Sequence, residues 1–100
     1  MTARQIPQVL EREMGLTLAE FRRSFASAVE PHIYTQHDRE FVVSHPEGEV
    51  RIALGETTQR QIAMLAIPKT KVFFNFGDLN ETSRVEFMER FDRYFHRGGG

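Results

Sequence analysis

The sequence predicts an α+β fold: N-terminal helices, a four-stranded antiparallel meander between residues 39 and 77, and an amphipathic C-terminal helix packed on the sheet. Three observations predict it. Apolar residues recur at three- and four-residue spacing up to Val29 and again from Val85. Between Arg39 and Phe76 the period falls to two. Short turn-forming stretches separate the alternating runs, and short connections favour antiparallel neighbours.

Each element has its own signals. Ile6, Val9, Leu10 and Met14 fall at helical spacing; Pro7 suits a first turn and Gly15 a left-handed stop. A second helix begins at Thr17, which forms a capping-box pattern with Glu20. It presents Leu18, Phe21, Phe25, Ala28 and Val29 on one face and ends at Pro31, which disfavours helical geometry at Glu30. Phe41 and Val43 mark the first strand, closed by the turn His45-Pro46-Glu47-Gly48. Val50, Ile52 and Leu54 mark the second, which Gly55-Glu56-Thr57-Thr58 breaks. Ile62 to Ile67 forms a third strand, apolar on both faces, with a turn at Pro68-Lys69. Lys71 to Phe76 forms the fourth. After Gly77, Asp78, Asn80 and Ser83 compete as the cap of the last helix, and Ser83 with Glu86 forms a second capping-box pattern. Val85, Met88, Phe91 and Phe95 supply that helix's apolar face.

One hundred residues make a single domain, 1–100, with flexible ends expected at about 1–5 and 97–100. With 40% hydrophobic and 27% charged residues the chain belongs with globular proteins and not with disordered ones. A formal charge of −1 argues against a partner attracted by bulk electrostatics, nucleic acid and anionic membrane included. The sequence holds no cysteine, which excludes disulfides, thiolate metal sites and cysteine nucleophiles. The N-terminus lacks the apolar core of a signal peptide, and no apolar run is long enough to span a bilayer. A cytoplasmic location is expected.

Catalytic and cofactor patterns are sparse. His32 and His37 are five apart, which matches neither helical nor strand geometry for a metal pair, and His45 and His96 stand apart. No serine sits in a nucleophile elbow, and Gly48, Gly55 and Gly77 are isolated. No catalytic residue, cofactor or metal is expected, and the sequence leans away from an enzyme.

Two stretches carry resemblances. Residues 9–25, with Gly15 between two apolar-periodic segments and Arg12, Arg22 and Arg23 around it, resemble the helix-turn-helix of AraC-type regulators. The resemblance implies a DNA-binding protein whose second helix enters the major groove with those arginines as contacts. Glu11, Glu13 and Glu20 would oppose phosphate there. The C-terminal third, with Phe91-Asp92-Arg93-Tyr94-Phe95 and the ending Arg97-Gly98-Gly99-Gly100, resembles small uncharacterised bacterial proteins that end in the same way. That resemblance implies no activity. The Gly tail is also similar to those of ubiquitin-like modifiers, but those reach it from a strand, not from a helix.

The leading expectation comes from the sheet. A double-sided apolar strand at 62–67 and Phe73 projecting opposite Val72, Phe74 and Phe76 call for something to cover the second face. Helix 16–30 could do so, or both helices could share one face. In a simple meander the fourth strand lies at an edge, with Lys69 and Lys71 as gatekeepers. The chain therefore reads as a non-catalytic interaction or assembly domain with a protein partner or as a homodimer. The expected interaction surface comprises Leu65, Ile67, Lys71, Phe73 and Asn75. The alternative is DNA binding through residues 9–25.

Overall fold

In the region 40–75, alternation and turn chemistry do produce three antiparallel strands, and two more, at 9–14 and 34–37, complete a five-stranded sheet. A computed structural model describes residues 5–99, with side chains through Phe95. Of the ends expected to be flexible, about 1–5 and 97–100, residues 1–4 and Gly100 lie outside the described residues, and residues 97–99 belong to the last helix. The elements run β1 (Val9–Met14), α1 (Leu18–Val29), β2 (Tyr34–His37), β3 (Glu40–His45), β4 (Gly48–Ile62), β5 (Leu65–Asn75) and α2 (Glu81–Gly99). The sheet order is β1-β5-β4-β3-β2, antiparallel at every pairing. The α+β class is as expected, but several elements differ.

The first expected helix is strand β1. Leu10, Arg12 and Met14 are half-buried and alternate with exposed Val9, Glu11 and Glu13. Period two is hidden in the sequence because its inward row contains an arginine. The Arg12 guanidinium is bound to the Asp92 carboxylate of α2 by two hydrogen bonds, one of 3.1 Å, so it is sheltered as an ion pair. β2 was absent from the expected set. It is only four residues long and turns into β3 at Asp38-Arg39, where Asp38 adopts φ 59°, a conformation that short polar side chains tolerate.

The expected third strand, 62–67, straddles a tight turn: Ile62 ends β4, and Leu65–Ile67 join the expected fourth strand in β5, while the break at 55–58 lies inside β4. β4 carries one extra residue between Leu54 and Thr57, opposite Val72 and Thr70, which is a bulge. Arg39 donates to the bulge carbonyls of Leu54 and Gly55 at 3.2 and 2.7 Å. The turn lies at Ala63-Met64, with Ala63 at φ 53°, and not at Pro68-Lys69. Pro68 stands opposite Gln59 in β5, beyond the end of β1 pairing at Thr70. There β5 has a neighbour on one side only, so the missing N–H is tolerated. Nor is β5 an edge: from Thr70 to Asn75 it runs between β1 and β4. β1 and β2 form the edges, and Lys69 and Lys71 pair with Glu13 and Glu11 across β1.

Both helices pack on one face, so the fold has two layers. α1 carries the expected capping box: Glu20 N donates to Thr17 Oγ1 at 3.2 Å, and Thr17 N to Glu20 Oε1 at 2.9 Å. Its Phe21, Phe25, Ala28 and Val29 are buried, and Glu30 ends it before Pro31. Asn80 caps α2, accepting from Ser83 N at 2.8 Å; the Ser83 hydroxyl instead donates to Glu47 at 2.6 Å. Inward residues of β3 and of the end of β5 meet these helices through rings. Phe21 lies 5.2 Å from Phe41, Phe91 5.1 Å from Phe74, and Phe87 5.8 Å from Phe76. Phe21 also stacks on Phe95 at 5.0 Å, joining the two helices. Each such ring removed from water contributes roughly 1.5–3 kcal/mol, so this aromatic layer holds the helices to the sheet. No helix among the described residues is long and apolar enough to cross a membrane.

Candidate interaction surface

With both helices on one side, strand pleating presents a second row of side chains to the helix-free face. Glu11 stands beside Phe73, Phe73 beside Ala53, and Ala53 beside Glu40. One rung along, Val9, Asn75, Arg51 and Val42 form a parallel row. Val9 is 62% and Phe73 38% exposed. Ion pairs cross the same face: Lys71 with Glu11 at 3.6 Å, and Arg51 with both Glu49 at 3.2 Å and Glu40 at 3.8 Å.

β4 and β5 continue past their neighbours as a two-stranded arm, from the pair Thr57–Thr70 to the pair Ile62–Leu65. Because β4 carries the bulge, its phase changes there. Even positions 50, 52 and 54 are buried toward the helices, whereas beyond the bulge Thr57 stands opposite buried Thr70. Arg60, Ile62, Leu65 and Ile67 therefore lie on the helix-free side, and Gln59, Gln61, Ala66 and Pro68 on the other. The arm is two-faced, and its more apolar side continues the open sheet face. Leu65 is 65% and Met64, at the tip, 94% exposed. Its root is polar and buried: Thr70 Oγ1 donates to the Leu16 carbonyl at 2.6 Å and so accepts from the Thr57 hydroxyl at 2.6 Å.

The five residues singled out from sequence all lie in β5 at odd positions, hence on this one side. Lys71, Phe73 and Asn75 occupy the middle of the sheet, while Leu65 and Ile67 belong to the arm. Sequence reasoning missed Val9, Val42, Ala53, Arg60 and Ile62. For Val9 the alternation with Glu11 and Glu13 was available. For the others, membership of the surface depends on strand order and on the bulge. The arginines of the alternative reading are scattered: Arg12 is engaged with Asp92, and Arg22 and Arg23 are exposed on α1. Residues 9–25 are a strand, a turn and a helix, so the helix-turn-helix geometry does not form.

A second feature is a cleft of about 220 Å³ between the end of α1 and the first half of α2, lined in part by His32, His45, Ser83, Glu86 and Arg90. The His32 and His45 rings lie 4.8 Å apart. Burial, then His45 and Arg90, hold the His32 imidazole below its ordinary value. Glu47 accepts from the Ser83 hydroxyl and from Asn80 N at 2.9 Å; these bonds, with help from His45, keep its carboxyl below the ordinary range. Glu47 thus ties the β3–β4 turn to the start of α2, and the Ser83 proton is directed at a carboxylate rather than at a histidine base. His37 and Asp38 do not line the cleft. Among the described residues no group of three or more His, Asp or Glu side chains could hold a metal ion. The arrangement is that of a structural clamp.

No protein-family model, curated protein or solved structure matches this chain.

Proposed function

We propose that the chain is a non-catalytic, cytoplasmic interaction or assembly domain that self-associates through the helix-free face of its sheet. The observation that carries this reading is that exposed apolar side chains occur at two places on one side of the molecule, with Lys69 and Lys71 between them. They are Val9 and Phe73 on the body and Ile62 and Leu65 on the arm. A solvated face of an antiparallel sheet is ordinarily polar. Exposed large apolar side chains rimmed by charged ones are characteristic of interaction sites. The arm adds to this, because a two-stranded hairpin without a layer against it is marginal in water. Sedimentation velocity from low to high micromolar concentration tests the reading. A concentration-dependent dimer that Phe73→Asp dissociates is the expected result. A strict monomer throughout, or a dimer indifferent to Phe73→Asp, refutes it.

A further inference from the structure

The arm and the sheet face differ in charge as well as in shape. Between Thr58 and Pro68 the arm carries one charged residue, Arg60, which makes no ion pair among the described residues. Lys71 serves Glu11 and Lys69, at the root of the arm, serves Glu13, but on the body Arg51 is shared between Glu40 and Glu49. The open face is therefore one cation short, and the arm has one cation to spare.

We infer that the occupant of the open sheet face is the β4–β5 arm of a second copy, exchanged reciprocally, with Arg60 completing the Glu40–Glu49 pair of its partner. The inference rests on the self-association proposed above and names the element that makes the contact. Ile62 and Leu65 lie on the same side of the arm as Arg60, so one docking event covers the apolar pair and places the guanidinium on the acidic site. Size supports exchange over a single contact. Six rungs at about 3.3 Å rise and two strands' width give an arm footprint of roughly 200 Å² in projection. Counting both surfaces of two exchanged arms gives roughly 800 Å², at the small end of interfaces, where complexes are transient. A one-sided contact would have half of that. The exchange is isologous and closes on a two-fold axis.

The test is sedimentation equilibrium on the full chain and on variants of exposed side chains, each checked for unchanged circular dichroism. Arg60→Glu acts at both reciprocal contacts and is expected to weaken the dimer about tenfold, since an exposed charge contributes modestly at each. Adding Glu40→Lys and Glu49→Lys to Arg60→Glu restores association. Leu65→Asp weakens it at least about thirtyfold, because a carboxylate is then buried at both contacts. A dimer that Phe73→Asp disrupts but Leu65→Asp and Arg60→Glu leave unchanged overturns arm exchange while the sheet-face reading stands. Failure of the charge-reversed face to rescue Arg60→Glu also overturns it. A strict monomer in the parent chain overturns both.

Discussion

Replacing Thr70 by valine removes one hydroxyl from the root of the arm and keeps the shape of the side chain. Thr70 is fully buried, and its oxygen holds two bonds of 2.6 Å, donating to the Leu16 carbonyl and accepting from Thr57. Each hydrogen bond contributes about 1 kcal/mol net, and a donor or acceptor left unsatisfied costs about 1–3 kcal/mol. Leu16 and Thr57 are only half-buried, so water can reach the orphaned groups in part. The expected loss is therefore about 2 kcal/mol, which for a domain of this size lowers Tm by roughly 8–16 °C. Urea unfolding measures it, with Thr70→Ser as control: serine keeps both bonds and loses one methyl, about 0.8 kcal/mol. A double-mutant cycle with Thr57→Val isolates the shared bond, with an expected coupling of at least about 0.5 kcal/mol. If Thr70→Val lies within about 0.5 kcal/mol of the parent, the hydroxyl does not pin the arm and the reasoning fails.

Three further outcomes follow from local geometry. The folded-state carboxyl of Glu47 lies below its ordinary value of 4.5. Its contribution is fully present above that value and is lost as pH falls through the lowered one; thermal scans of Glu47→Gln against the parent should diverge most above pH 4.5 and converge in acid. His32 should titrate by NMR with a midpoint below 6.5, moving upward in His45→Ala. Because the unfolded imidazole takes up its proton first, this residue's contribution to stability is lost as pH falls from 6.5 through the lowered value, and His32→Gln should flatten that slope; an unshifted midpoint would remove the argument. Gly77 adopts φ 56°, and a Cβ there would stand 2.8 Å from the Glu49 carbonyl oxygen. Gly77→Ala should cost about 1–2 kcal/mol for the left-handed backbone alone, with the clash added, and a neutral result in urea would contradict it.

Local signals were legible wherever one residue decides one thing. Thr17, Glu20 and Pro31 bounded α1 correctly, and the aromatic repeat from Val85 to Phe95 identified the layer that covers the sheet. The failures came where a punctuation residue had a subtler role. Gly55 reads as a strand end, yet it stands at a bulge whose carbonyls a distant arginine satisfies. Pro68 reads as a turn, yet it sits in a strand at a point with a neighbour on one side only. The apolar run 62–67 spans the two sides of a tight turn, so its double-sidedness was a property of a hairpin tip. β1 was misread because Arg12, paired with Asp92 some eighty positions away, occupies its inward row. The candidate surface was half legible for a related reason. Period two along β5 survives the joining of two expected strands, so Leu65, Ile67, Lys71, Phe73 and Asn75 share a side. Which residues of other strands lie beside them depends on strand order, which local pattern does not encode.

The extra residue in β4 bears on more than the ladder it interrupts. A bulge sharpens strand twist, and Arg39 anchors this one by its carbonyls, so the angle at which the arm departs from the body is set there. For copies that grip each other by their arms, that angle governs closure: one value brings the second arm home on the first molecule, while another sends it to a third. Deleting Glu56 would restore a regular ladder between Leu54 and Thr57 and change that angle, and with it the geometry on which closure of any such pair depends.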